Sequence, residues 1–147
     1  MSHTYVQNHL HVVFSTKGRA KLIAKRDQQK LWSYMAGIAR NHGFLMVANG
    51  GTEDHVHLLI QLPATLALAK AVSLVKSNSS KWMNERGVGF EWQKGYGAFG
   101  VSASNVLTVV RYIENQEQHH HTQTFQEEYR NLLRKYHVDF DERYVWD

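Results

Sequence analysis

Apolar positions along the chain change period several times, and each change marks an element. His9 to Thr16 (HLHVVFST) alternates imperfectly and is rich in β-branched and aromatic residues, which predicts a strand. From Lys25 to His42, Leu31, Trp32, Met35, Ile38 and Ala39 recur at the three-and-four spacing of a helix that stops at Gly43. Phe44 to Ala48 predicts a short buried strand, Asn49-Gly50-Gly51 a turn, and Asp54 to Leu62 (DHVHLLIQL) the second arm of a hairpin. Pro63 ends that arm, and Leu66 to Arg86 reads as a long helix with Leu68, Ala71, Val72, Val75 and Met83 inward. Gly87 to Gly100 is glycine-rich and aromatic, which predicts a flexible segment around one or two short strands. A helix capped by Ser104 or Asn105 then runs to His121, packed through Val106, Val109, Val110 and Ile113, and a last helix spans Phe125 to Tyr136.

The order strand, helix, strand, strand, helix, strand, helix predicts an α+β fold. Its expected form is a ferredoxin-like or RRM-like antiparallel sheet with helices mainly on one face. At 147 residues with one proline, residues 1–147 are expected to form a single domain holding the whole function. Neither a secretion signal nor an apolar run near the ~20 residues of a membrane span is present, so a cytoplasmic protein without a membrane partner is expected. Cysteine is absent, which excludes disulfides, thiolate metal sites and a cysteine nucleophile. Seventeen Lys and Arg against thirteen Asp and Glu permit nucleic-acid binding without requiring it.

Side chains two apart on a strand share a face, so His55 and His57 present two imidazoles side by side while Val56, Leu58 and Ile60 enter the core. That is half of a metal site, but His9 and His11 repeat the spacing on the first strand, and such pairs usually just line a sheet. Tyr112 and Gln116 stand four apart on one helical face. Taken singly, each of these residues has an ordinary packing explanation, and the His119-His120-His121 run fits an exposed helix end equally well.

Taken together they resemble a family. Asp54-His55-Val56-His57-Leu58-Leu59-Ile60 is similar to the His-hydrophobic-His (HUH) motif of the single-tyrosine transposases that move bacterial insertion sequences as single strands. Tyr96 to Ser102, Val109-Val110-Arg111-Tyr112-Ile113-Glu114-Asn115-Gln116 and His119-His120 resemble that family's nucleophile region. His11 to Lys17 resembles its first strand. The resemblance implies that His55, His57 and Gln116 hold a divalent metal ion, Mg2+ or Mn2+, and that Tyr112, on a C-terminal nucleophile-bearing helix, attacks DNA. It further implies cleavage and rejoining of single-stranded DNA through a 5′-phosphotyrosine at hairpin-marked element ends. A homodimer is implied as well, each active site combining the histidines of one subunit with the tyrosine helix of the other.

A phenol with a pKa near ~10 needs activation at neutral pH, and a covalent phosphotyrosine conserves the energy of the broken phosphodiester for rejoining. Lys17, Arg19, Lys21, Lys76, Lys81 and Arg111 are candidate DNA contacts, with Trp92 and Tyr96 available to stack on unpaired bases. Gly95, Gly97 and Gly100 fit either a mobile connection to the tyrosine helix or ordinary turns. Two rival readings remain at this level: a non-catalytic single-stranded nucleic-acid binder, and a metal-dependent nuclease that activates water.

Overall fold

The computed structural model describes residues 3–120 and 122–147. Its strands are β1 (His9–Ser15), β2 (Leu45–Gly51), β3 (His55–Gln61) and β4 (Gly97–Val101), and its helices are α1 (Lys25–Asn41), α2 (Leu68–Glu85), α3 (Val106–Glu114), α4 (Gln116–His119) and α5 (Phe125–Lys135). The sheet runs in the order β2-β3-β1-β4 with every pair antiparallel. This is the expected α+β, ferredoxin-like antiparallel sheet, but its helices cover both faces rather than mainly one, because α5 adds a second apolar layer over Val13 and Phe99. No helix among the described residues is long and apolar enough to cross a membrane.

Strand alternation divides the sheet into two faces. Val12 and Phe14 of β1, with Val56, Leu58 and Ile60 of β3, pack against Leu31, Trp32 and Met35 of α1 and Val72, Val75 and Met83 of α2. On the opposite face, Val13 and Phe99 meet Phe125, Tyr129, Leu132 and Leu133 of α5. Covering on both faces is why β1 shows imperfect alternation: an edge exposed to water would have selected polar residues at every second position. Both long helices end on a left-handed glycine. Gly43 follows α1 and Gly87 follows α2, and in each case the two amides after the cap return to carbonyls of the last turn.

The hairpin forms, but its turn lies beyond the predicted Asn49-Gly50-Gly51. These three residues extend β2, with Gly50 opposite His57 and Gly51 opposite Val56, and the chain reverses over 52–54. Close approach is the reason for the two glycines. A Cβ on Gly50 would stand 2.7 Å from the Ile113 carbonyl oxygen of α3, and one on Gly51 would stand 2.2 Å from that of His55.

The glycine-rich segment yields β4 and a single bridge between Thr16 and Trp92. It is tied down rather than loose. Lys76 Nζ donates to the carbonyls of Gln93, Lys94 and Gly95, and Trp92 Nε1 donates to Ser79 Oγ. The helix expected through His121 breaks at Asn115 into α3 and α4, and no side chain caps its start. His121 itself lies outside the described residues.

Candidate active site

The paired register sets His55 opposite Ser15 and His57 opposite Val13, so both imidazoles leave β3 on the face covered by α3 and α5. Both rings are wholly buried. His55 Nε2 lies 3.0 Å from Gln116 Oε1, and His57 Nε2 lies 2.9 Å from Glu128 Oε1. The carboxylate of Glu128, in the first turn of α5, is the hub. Its Oε1 also lies 3.0 Å from His120 Nε2, while its Oε2 accepts from Gln116 Nε2 at 3.1 Å and from the Tyr112 hydroxyl.

The outer partners of the two histidines differ. His55 Nδ1 meets Asp54 Oδ1 at 2.9 Å and Thr52 Oγ1 at 3.0 Å, whereas His57 Nδ1 meets His11 Nε2 at 2.8 Å. With His55 Nδ1–H donating a hydrogen bond to Asp54 Oδ1, Nε2 turns a lone pair toward the amide oxygen of Gln116, and two acceptors face each other. A cation resolves that conflict. The ligand atoms of His55, His57 and Glu128 lie within 4.8 Å of one another. Two imidazole nitrogens, a carboxylate oxygen and an amide oxygen form a mixed set that suits manganese or magnesium, so the residues present fit a divalent ion.

Burial pushes the Tyr112 phenol above its ordinary range, and the adjacent Glu128 charge adds to the effect. For Glu128 burial acts upward, but attraction to His57 and hydrogen bonds from His120 and His57 outweigh it and hold the carboxyl well below its usual range. Burial, followed by the neighbouring His57, lowers His11 to about 3, and His57 is likewise lowered chiefly by burial. The site therefore contains an ionised carboxylate facing a protonated phenol.

Of the sequence candidates, the structure brings His55, His57, Tyr112 and Gln116 together within one chain. The Tyr112 ring centre is 5.7 Å from that of its own His57. The four residues meet without a second copy of the chain, and the composite site between subunits that the resemblance implies is a separate arrangement of the same residues.

The DNA-contact candidates do not form one patch. Lys17 pairs with Glu91 at 3.4 Å, Lys21 approaches Glu53 at 3.9 Å, and Arg19 lies over the Trp146 ring. Lys76 is occupied by three carbonyls, and burial lowers it to about 8. Both Lys76 and Lys81 belong to α2, on the face of the sheet away from the histidines. Arg111 is exposed beside Tyr112. Lys21 and Lys25 line a cleft that also includes Asp54, His120 and the start of α5, directly beside the site. Trp92 is 6% exposed and edge-on to Phe14 and Phe90, so it is a core residue rather than a stacking platform. Tyr96 sits under Lys76.

Sequence reasoning missed Glu128 and left His11, His120 and Asp54 without a role in the site. Glu128 gave little signal, because Thr124 caps α5 through the Glu127 amide and acids in a first turn are expected on helix-dipole grounds alone.

A family model described as IS200-like transposase matches residues 4–116, a stretch that includes His55, His57, Tyr112 and Gln116 but ends before Glu128. No curated protein matches the chain. Among solved structures, it is similar to a candidate transposase from Deinococcus radiodurans R1. That pair has 25% identity and a TM-score of 0.62, with 79% of this chain and 96% of the other covered. It also shares its fold with a REP-associated tyrosine transposase bound to a REP hairpin, at 15% identity and a TM-score of 0.59, covering 78% of this chain and 70% of the other. With more than half of its length matched by that family model, and with the HUH pair and the tyrosine meeting in one site, the chain belongs to the IS200-like transposases, the single-tyrosine HUH family.

Proposed function

We propose that this protein cleaves and rejoins single-stranded DNA at hairpin-marked element ends, with Tyr112 as the nucleophile and a 5′-phosphotyrosine as the intermediate. The observation that carries the reading is the Glu128 carboxylate, which joins the Tyr112 hydroxyl to the imidazole of His57. His55, His57, Gln116 and Glu128 would hold a divalent ion, whose chemistry when bound is to polarise a phosphate oxygen and neutralise developing charge. Glu128 Oε2, which accepts the Tyr112 hydroxyl hydrogen bond, would take the phenolic proton as the Tyr112 oxygen bonds to phosphorus and the bond to the 3′ oxygen breaks, and would pass that proton to the 3′ oxygen as it leaves as a hydroxyl. Return of a 3′ hydroxyl to the same phosphorus reverses these steps, gives the proton back to Tyr112 and restores the phosphodiester. An intact ligand set around the tyrosine disfavours a purely binding relative.

His55, His57, Gln116 and Glu128 are each 1% exposed or less, while Tyr112 is half-buried. An incoming phosphate must therefore displace part of the cover. Phe125, whose ring stacks on His55 at 4.6 Å, and the Tyr112 edge form that boundary.

The test is incubation with labelled single-stranded DNA carrying the element end and manganese, followed by a denaturing gel. Wild type should give a protein-linked band and Tyr112→Phe none. Cleavage that survives Tyr112→Phe, or a wild type that never forms the adduct on its own element end, refutes the mechanism. Mixing Tyr112→Phe with His55→Ala separates the two subunit arrangements. Sites shared across a homodimer regain adduct formation in the mixture, whereas sites built within one chain give none.

A further inference from the structure

His9 and His11 repeat the spacing of the ligand pair, yet the proposed chemistry uses neither. Their surroundings differ. His11 sits opposite Leu59 on β3 while Val13 sits opposite His57, so the His11 and His57 rings are diagonal neighbours on one face. Their centres are 5.0 Å apart, and His11 Nε2 reaches His57 Nδ1 at 2.8 Å. The His11 ring also packs edge-on to Tyr112 at 6.0 Å and is 2% exposed. His9 Nδ1, by contrast, is buried with no partner.

Two ring nitrogens at this distance share one hydrogen. For a pair of neutral imidazoles only two arrangements satisfy that requirement. If His11 carries its hydrogen on Nε2, His57 accepts at Nδ1 and carries its own on Nε2, pointing at Glu128. If His57 carries its hydrogen on Nδ1, His11 accepts at Nε2 and carries its own on Nδ1. Only the second arrangement leaves His57 Nε2 with a lone pair for a metal ion.

We propose that His11 is a positioning residue whose tautomer switches together with that of His57, so that His57 keeps one ring orientation both facing Glu128 and ligating a metal ion. The inference rests on the reading of His57 as a metal ligand. The protons balance. The shared hydrogen passes from His11 to His57, His57 gives up the one on Nε2, His11 gains one on Nδ1, and the pair remains neutral. His55 needs no such device, because its Nδ1 faces the fixed acceptor Asp54.

Nitrogen-15 NMR of histidine-labelled protein, metal-free and loaded with zinc as a diamagnetic probe, reads the tautomers directly. Both His11 and His57 should carry hydrogen on Nε2 without metal and on Nδ1 with it. Zinc on His57 with no change at His11 overturns the coupling alone, while zinc that never reaches His57 overturns the metal-site reading beneath it. By titration, His11→Leu should weaken zinc and manganese binding about 10- to 100-fold, the usual effect of losing an outer partner of a metal ligand. His11→Gln, whose amide can both donate and accept, should recover most of that loss, and His9→Leu should leave affinity unchanged. Unaltered affinity in His11→Leu refutes the proposal, and if that variant does not fold, the NMR of the native protein decides.

Discussion

Gly50 connects the sheet to the helix that bears Tyr112, and replacing it tests that connection. An alanine Cβ at this position would stand 2.7 Å from the Ile113 carbonyl oxygen, against the 3.4 Å at which ordinary contact begins, so α3 must retreat by about 0.7 Å. Neither side is a flexible side chain able to swing away, because both the strand and Ile113 are backbone. Such overpacking typically costs about 1–3 kcal/mol, and near this chain length each kcal/mol lowers the melting temperature by roughly 2–4 °C. Tyr112 precedes Ile113 on the same helix, so the shift also moves the proposed nucleophile. A displacement of about 1 Å in a reacting group can cost about 100-fold in rate, which sets the expected loss for Gly50→Ala at about 10- to 100-fold. The assays are thermal melting and single-turnover adduct formation on the element end. Gly37→Ala supplies the control, since its Cβ meets only Arg40 at 3.6 Å inside α1, where alanine should stabilise by about 0.5–1 kcal/mol. A Gly50→Ala protein with wild-type melting and wild-type adduct rate would refute the claim that this glycine seats the tyrosine helix.

Two further outcomes follow from burial. His11 is held at about 3 in the fold against 6.5 in the unfolded chain, so between these values the unfolded state binds the extra proton and stability falls as pH falls. Glu128, also lowered in the fold, acts in the same direction once its unfolded counterpart begins to protonate. Urea midpoints from pH 7 to 4 should therefore decline, by about 1.4 kcal/mol per pH unit for each proton involved, and less steeply in His11→Gln; a flat or rising profile sinks this account. Lys76→Met removes the donor to three carbonyls and should destabilise by about 1–3 kcal/mol while leaving the salt dependence of DNA binding unchanged. A shallower salt slope in that variant would return Lys76 to the DNA-contacting surface.

The helices α1 and α2 were legible because each buries one continuous stripe, so periodicity alone fixes which residues face inward. His55 and His57 were legible for a related reason, since a period of two puts both on one face whatever lies across from them. Gly50 and Gly51 misled because a turn glycine and a close-approach glycine look alike until the helix above them is in place. The break at Asn115 left no mark in the apolar pattern, which continues through Ile113 without interruption. Lys76 shows that a charge on a helix does not announce which face it serves. Glu128 could be found only through tertiary structure, because nothing local distinguishes it from Glu127, which is exposed one residue earlier.

The two faces of the sheet divide the labour of the fold. Aliphatic residues of β1 and β3 meet α1 and α2 in a large apolar cluster, and that side contains no member of the proposed site. The other face gives strand positions to His9, His11, His55 and His57, groups that contribute little apolar burial. Its cover consequently depends on a few large side chains of α5, above all Phe125 and Tyr129. Phe125 stacks on His55, and Glu128, one turn along the same helix, bonds His57 and Tyr112. The helix that would complete the proposed ligand set is thus the one that closes the site to water. Loss of apolar contact at Phe125 should disturb the position of Glu128 and the chemistry before it threatens the fold, whereas loss at Leu58 or Met35 should do the reverse.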